Sequence, residues 1–228
     1  SALHDYRDWL RQLVQHEYVH VLHLDRVGGL PAGVNRIFGK LWVPNALVPS
    51  FFVEGIAVLN ESEGDPASGR NGSALFDMYA RSLATEGTFP RLDEAANPFL
   101  GWPVGHVPYL LGGRFMGFLQ ARYGAASLAG FAADQGSMAW PYAPSWAGER
   151  WFGGKAFPEL WAEYAAAERA YAEGRRAWVH LRPVTRPVRL TSRGGLVENP
   201  RFSPDGRFVA YSGRSLDDAP GVFRVALD

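Results

Sequence analysis

A chain of 228 residues is long enough for one large domain, or for a medium domain and a fragment of another. Its 23 lysines and arginines balance 23 aspartates and glutamates, which excludes the basic excess of a nucleic-acid footprint or of a polybasic membrane contact. It has no cysteine, so disulfides, thiolate zinc sites and cysteine nucleophiles are excluded together, and no apolar run is long enough to span a bilayer.

No signal peptide opens the chain, and a start at Ser1 without methionine reads as a fragment. Tyr6, Trp9, Leu10, Leu13, Val14, Glu17, Val21 and Leu22 recur at three- and four-residue steps, which predicts a helix over 5–24. Gly28, Gly29 and Pro31 stop it. The stretch 27–50 is rich in Gly, Pro and Asn and reads as irregular. A second helix starts near Pro49-Ser50 and carries Phe52, Val53, Ile56, Ala57 and Leu59. Glycines at 64, 69 and 72 mark a loop, 74–84 reads as a helix, and 88–108 as a long proline-bearing loop. Helices follow over 109–123 and 127–135, and the longest over 156–176. Glu159, Glu163, Glu168 and Arg169 read as a solvated face of that last helix. Trp140, Trp146, Trp151 and Trp161 read as core and cleft-lining rings.

Beyond residue 176 the pattern changes. Residues 177–187 read as a linker, and from Val188 the sequence alternates as strands do. Asp205-Gly206 sits between two short β-prone runs, a hairpin signal, and Val222 to Val225 reads as a further strand. The expected organisation is a helical domain over 1–176, the linker, and a small β segment over 188–228.

The chemistry concentrates in His16-Glu17-Tyr18-Val19-His20. Histidines four apart on a helix stand on one face, ~6 Å apart in rise, so both imidazoles can converge on one metal ion. Glu17, beside the first histidine, is placed to take a proton from a water that the metal acidifies. A catalytic zinc needs a third protein ligand and an open position. Candidates are His23 and Glu54. His23 shares the stripe but lies ~10 Å of rise beyond His16, poor geometry for a single ion, and reads as packing.

Phe51-Phe52-Val53-Glu54-Gly55-Ile56-Ala57 with Glu61 resembles the second zinc helix of the gluzincin metallopeptidases, in the aminopeptidase-N-type superfamily. There an aromatic residue precedes Glu-Gly-x-Ala, and another glutamate follows seven residues after the ligand. The resemblance implies Zn²⁺ held by His16, His20 and Glu54, with Glu61 either behind the ligands or at a helix contact. It implies that Gly55 and Ala57 let this helix approach the first one. The spacing from His20 to Glu54 is longer than in aminopeptidase-N-type members. Tyr109-Leu110-Leu111-Gly112 resembles the Tyr-x-x-Gly segment of the same superfamily, which makes Tyr109 the donor to the oxyanion. His106 is the rival donor.

The fold class so implied is mainly α: the helical catalytic part of a zincin-like metallopeptidase, its upstream sheet outside this chain. Leu190-Thr191, Pro200-Arg201-Phe202-Ser203-Pro204-Asp205-Gly206 and Ala210-Tyr211 resemble a TolB-like β-propeller repeat, one incomplete blade reading as a β-hairpin with an unpaired edge. Together these resemblances imply a zinc peptidase acting on a peptide or protein, with protein partners reached through the propeller and an extracytoplasmic setting. The competing reading is a catalytically quiet zinc module serving a propeller-based assembly protein.

Overall fold

The structure is a computed structural model that describes residues 9–97, 102–103, 105–192, 196–214 and 219–227. The chain divides into two compact units, Ser1–Trp178 and Val179–Asp228. The first is helical and the second holds a three-stranded antiparallel sheet, so the protein is mainly α with a small β segment. No described helix is long and apolar enough to cross a membrane.

Nine helices are seen among the described residues: α1 (Trp9–Leu24), α2 (Gly29–Phe38), α3 (Ser50–Glu61), α4 (Ala74–Thr85), α5 (Leu92–Ala95), α6 (Val107–Tyr123), α7 (Ala125–Gln135), α8 (Pro144–Trp151) and α9 (Phe157–His180). The start of the first helix expected at residue 5 lies outside the described residues. Several elements depart from the sequence expectation: α5 lies in the stretch 88–108 read as loop, α8 was not expected, and α9 runs to His180, into the expected linker. The stretch 27–50 contains α2 and a 3-10 turn at Pro44–Ala46. Pro31 does not break α2, because it stands in the first turn, where backbone N–H groups have no partner within the helix. Pro144 opens α8 for the same reason.

α6 is the centre of the helical unit. Leu110, Leu111, Phe115, Met116 and Leu119 on it are fully buried, so it is apolar on nearly every side. Phe115 packs its ring 5.8 Å from Phe51 of α3 and 5.2 Å from Trp161 of α9, and Phe51 and Trp161 stand 5.6 Å apart. This aromatic triangle ties α3, α6 and α9 into one core. α3 crosses α6 at glycines. A Cβ on Gly55 would lie 2.6 Å from the carbonyl carbon and oxygen of Gly112, and one on Gly112 would lie 2.4 Å from the Phe51 carbonyl oxygen. Gly55 therefore serves the approach of α3 to α6. The expectation that it opens the way to α1 is corrected.

α1 packs on α3 with an unusual edge. Its two buried side chains are His16 and His23, while Trp9, Leu10, Leu13, Val14, Val21 and Leu22 are exposed. The apolar stripe that marks α1 as a helix is thus on its outer side. Its far end is held by Asn45, fully buried, whose amide nitrogen lies 3.0 Å from the carbonyl oxygen of His23, 3.3 Å from that of Arg26 and 3.1 Å from that of Ala132 on α7.

Two further expectations are corrected. Glu168 is buried, forming a two-pronged pair with Arg114 of α6 at 3.0 and 2.8 Å; a carboxylate that deep requires such a partner. Of the four tryptophans assigned to core and cleft, Trp161 is buried and Trp151 packs against the core, but Trp140 and Trp146 are exposed.

In the second unit, β1 (Leu196–Phe202), β2 (Phe208–Arg214) and β3 (Gly221–Ala226) pair in sequence order. Among the described residues, regular pairing is seen from Leu196 and not at Val188. A bulge around Asn199, at φ 53°, interrupts the β1–β2 register between Glu198 and Arg201. The turn is tied by side chains: Ser203 Oγ donates to Asp205 Oδ1 at 2.6 Å and accepts from the Phe208 amide at 3.0 Å, and the Arg207 amide donates to Asp205 Oδ1 at 3.1 Å. Val209 and Tyr211 face one side and are buried, with Tyr211 stacked 5.8 Å from Phe223. The sheet is one strand larger than a hairpin, and β1 and β3 each have one sheet neighbour among the described residues.

Candidate metal centre

His16 and His20 project from α1 towards Glu54 of α3. The Nε2 atoms of the two histidines are 3.0 Å apart, and Glu54 Oε2 lies 3.2 Å from His16 Nε2 and 3.5 Å from His20 Nε2. No other group of three or more metal-capable side chains gathers this closely among the described residues. Ligand atoms ~2.0–2.1 Å from a tetrahedral zinc stand ~3.3 Å apart, so two nitrogens and one carboxylate oxygen on these edges fit that ion. Two imidazole nitrogens facing each other at 3.0 Å also need a hydrogen or a metal ion between them.

The backing of His16 sets which nitrogen faces the site. Glu61, two turns beyond Glu54 and nearly fully buried, has Oε1 2.8 Å from His16 Nδ1. An ionised carboxylate only accepts, so His16 Nδ1 carries the proton and donates it, which leaves Nε2 for the metal. Burial disfavours the charged form of His16. The hydrogen bonds to Glu54 and Glu61 and the charge of Glu61 outweigh burial and the nearby Arg70, and raise His16 to about 9. Burial likewise works against ionised Glu54, but the bond to His16 and the positive charges of His20, His16 and Arg70 hold it below the usual carboxylate range. Glu61 is held low in the same way by His16 and Arg70.

Arg70 was not singled out from the sequence. It lies in the loop after α3, donates from Nε to Glu61 Oε1 and Oε2 at 2.9 and 3.1 Å, and pairs through Nη2 with Glu61 Oε1 as well. Its guanidinium carbon stands 4.6 Å from the ring centroid of Tyr109. The one sequence hint was indirect: a glutamate on a buried face needs a cation, and Arg70 follows nine residues later.

Tyr109, in the first turn of α6, is half-buried, with its ring 6.3 Å from that of His16. Burial and the charges of Glu54 and Glu17 raise its pKa against the opposing Arg70, so the phenol keeps its proton at neutral pH. His106 instead packs its ring 6.0 Å from Phe76 and 6.2 Å from Tyr79. Glu17 is exposed and free of hydrogen bonds and ion pairs among the described residues, close enough to Tyr109 for its charge to be felt there. His23 is buried beyond His20 and outside the converging group. Burial first, and then the charge of His20, lower it to about 4, and its Nδ1 has no hydrogen-bond partner.

Comparison with known proteins adds little. No protein-family model matches the chain, and no solved structure does. The chain is 31% identical over 123 residues to an uncharacterized protein of Treponema pallidum (strain Nichols), a match over 54% of this chain and 10% of that protein. The chain therefore spans only about a tenth of the length of that relative.

Proposed function

We propose that this chain carries the metal-binding part of a zinc-dependent peptidase, with a zincin-like helical fold. The convergence of His16, His20 and Glu54 on one point, with two nitrogens and an oxygen at 3.0 to 3.5 Å, is the observation that carries the reading. A zinc ion held there supplies a Lewis acid that brings the pKa of water to about 7. Glu17, exposed beside the first ligand, accepts the water proton and passes it to the leaving amine. Tyr109 donates its phenolic hydrogen to the carbonyl oxygen as negative charge develops on it. The substrate class is a peptide or protein. The sheet of the second unit is read as part of a propeller blade, supported by the side-chain-tied turn Ser203-Pro204-Asp205-Gly206. A propeller would bring protein partners and an extracytoplasmic setting.

The test separates metal holding from chemistry. The purified protein should contain about one zinc per chain. Glu54→Ala should lose it. Glu17→Gln should keep it while peptide hydrolysis falls ~10²–10⁴-fold. Zinc bound with no hydrolysis by the parent protein across a broad peptide library, or equal hydrolysis by parent and Glu17→Gln, converts the reading to a quiet zinc module.

A further inference from the structure

We infer that Arg70 is the positioning residue of this site: one guanidinium locks Glu61 behind His16 and, with its flat face, sets the ring of Tyr109. The inference rests on the zinc reading above. It goes beyond that reading by naming the group that joins the ligand side of the site to the oxyanion side.

The loop between α3 and α4 is built around this arginine. Ser62 Oγ donates to the Ser68 carbonyl at 2.7 Å, and Ser68 Oγ lies 3.2 Å from the Glu61 carbonyl and 2.7 Å from the Asp65 carbonyl. These bonds fold the loop back onto the last turn of α3. Gly69 makes the contact, at φ +66°, where an added Cβ would lie 2.6 Å from the Glu61 Cβ. The next residue is Arg70, so its backbone amide reaches Glu61 Oε2 at 2.9 Å while its side chain reaches both carboxylate oxygens. Asn71 then fixes the loop to α6, its amide donating to the Gly113 carbonyl at 3.1 Å. A surface arginine has no need of such a cradle.

The two ends of Arg70 do different work. Backbone amide, Nε and Nη2 saturate Glu61, so this carboxylate has one orientation, and Oε1 in that orientation takes the His16 Nδ1 proton at 2.8 Å. Nη2 itself lies 3.0 Å from His16 Nδ1; both nitrogens carry hydrogens, so the two are held at that distance by Glu61 Oε1, which accepts from each. The guanidinium carbon lies over the Tyr109 ring, and the attraction between cation and ring holds the ring in place. Lysine could supply the charge but neither the fork nor the flat face.

The experiment uses the intact protein with Arg70→Met, Arg70→Lys and Tyr109→Phe, alone and combined. Zinc affinity is measured by chelator competition, and ligand geometry by the visible spectrum after cobalt(II) substitution. Arg70→Met should weaken zinc ~10–100-fold and change the cobalt spectrum, as loss of a group orienting a ligand does. Arg70→Lys should keep zinc within about threefold and lower kcat ~10-fold at unchanged KM. In the Tyr109→Phe background it should lower kcat no further. The near-ultraviolet circular dichroism due to Tyr109, read as parent minus Tyr109→Phe, should vanish in Arg70→Met. Unchanged zinc affinity and cobalt spectrum in a folded Arg70→Met protein overturn the link through Glu61. An unchanged Tyr109 signal, or kcat effects of Arg70→Lys and Tyr109→Phe that multiply, overturn the link to Tyr109. If Arg70→Met does not fold, Arg70→Lys with a parental kcat and parental Tyr109 signal overturns the inference alone. A parent that binds zinc but hydrolyses no peptide sinks the peptidase reading, and the affinity, cobalt and dichroism measurements still decide the role of Arg70.

Discussion

Zinc uptake by this site should expel a proton, and the size of the effect follows from His16. Flanked by Glu54 and Glu61, His16 titrates near 9 in the metal-free protein. At pH 7 most molecules therefore hold a proton on the nitrogen that a zinc ion would need, and removing it costs on the order of 3 kcal/mol, or ~100-fold in apparent affinity. Apparent affinity should climb ~tenfold per pH unit from about pH 7 towards 9. Calorimetry at pH 7 in buffers of different ionisation heat should show about one proton released from His16 per zinc bound. Heats independent of the buffer, together with an affinity flat between about pH 6.5 and 8.5, would refute the reasoning. The sign for folding is opposite. Because the folded pKa lies above the unfolded 6.5, the metal-free protein draws on the order of 3 kcal/mol from this proton below pH 6.5. That contribution fades as pH rises through about 9, so chelator-treated protein should melt at lower temperature in mild alkali while zinc-loaded protein gains.

Gly55→Ala should be disruptive despite its size. Its methyl would sit 2.6 Å from backbone atoms of Gly112, which cannot swing aside, so the helix crossing must open at a cost of ~1–3 kcal/mol; an unchanged melting temperature rejects the contact. Glu168→Ala should cost ~3 kcal/mol in urea denaturation, because Arg114 keeps its buried charge with only Asp77, 3.7 Å away, to offset it among the described residues, whereas replacing Arg114 and Glu168 together by methionine should cost much less. Equal losses for the single and double replacements would show the pair to be solvent-compensated.

The parts legible in the sequence were those written in a period. Histidines at 16 and 20 share a helix face by geometry alone, and α3, α4, α6, α7 and α9 follow apolar spacing closed by glycine or proline. Glu54 was legible only through the pattern around it, since helix geometry says nothing about a partner 34 residues away. The misses have physical causes. Pro31 reads as a breaker unless one knows that it falls in a first turn. Glu168 looks like every other acid on a long helix, because the arginine that draws it inward is 54 positions earlier. Gly55 was assigned to the wrong neighbour, since a small residue permits a close approach without naming the helix that makes it. Arg70 carries only the indirect hint of following Glu61 by nine residues: its role exists only once the loop has folded back on that carboxylate.

The amide of Asn45 has a consequence for the time order of events. By gathering carbonyls from the end of α1, the turn after it and α7, it anchors the histidine-bearing helix with groups that owe nothing to a metal. The ordering entropy of that segment is therefore spent during folding, before any ion arrives. An ion bound as proposed would meet a pre-organised trio of donors and would forfeit little affinity to freezing the backbone. A site of the proposed kind would fill and empty without the fold dissolving around it, unlike a zinc finger, whose structure lives and dies with its ion.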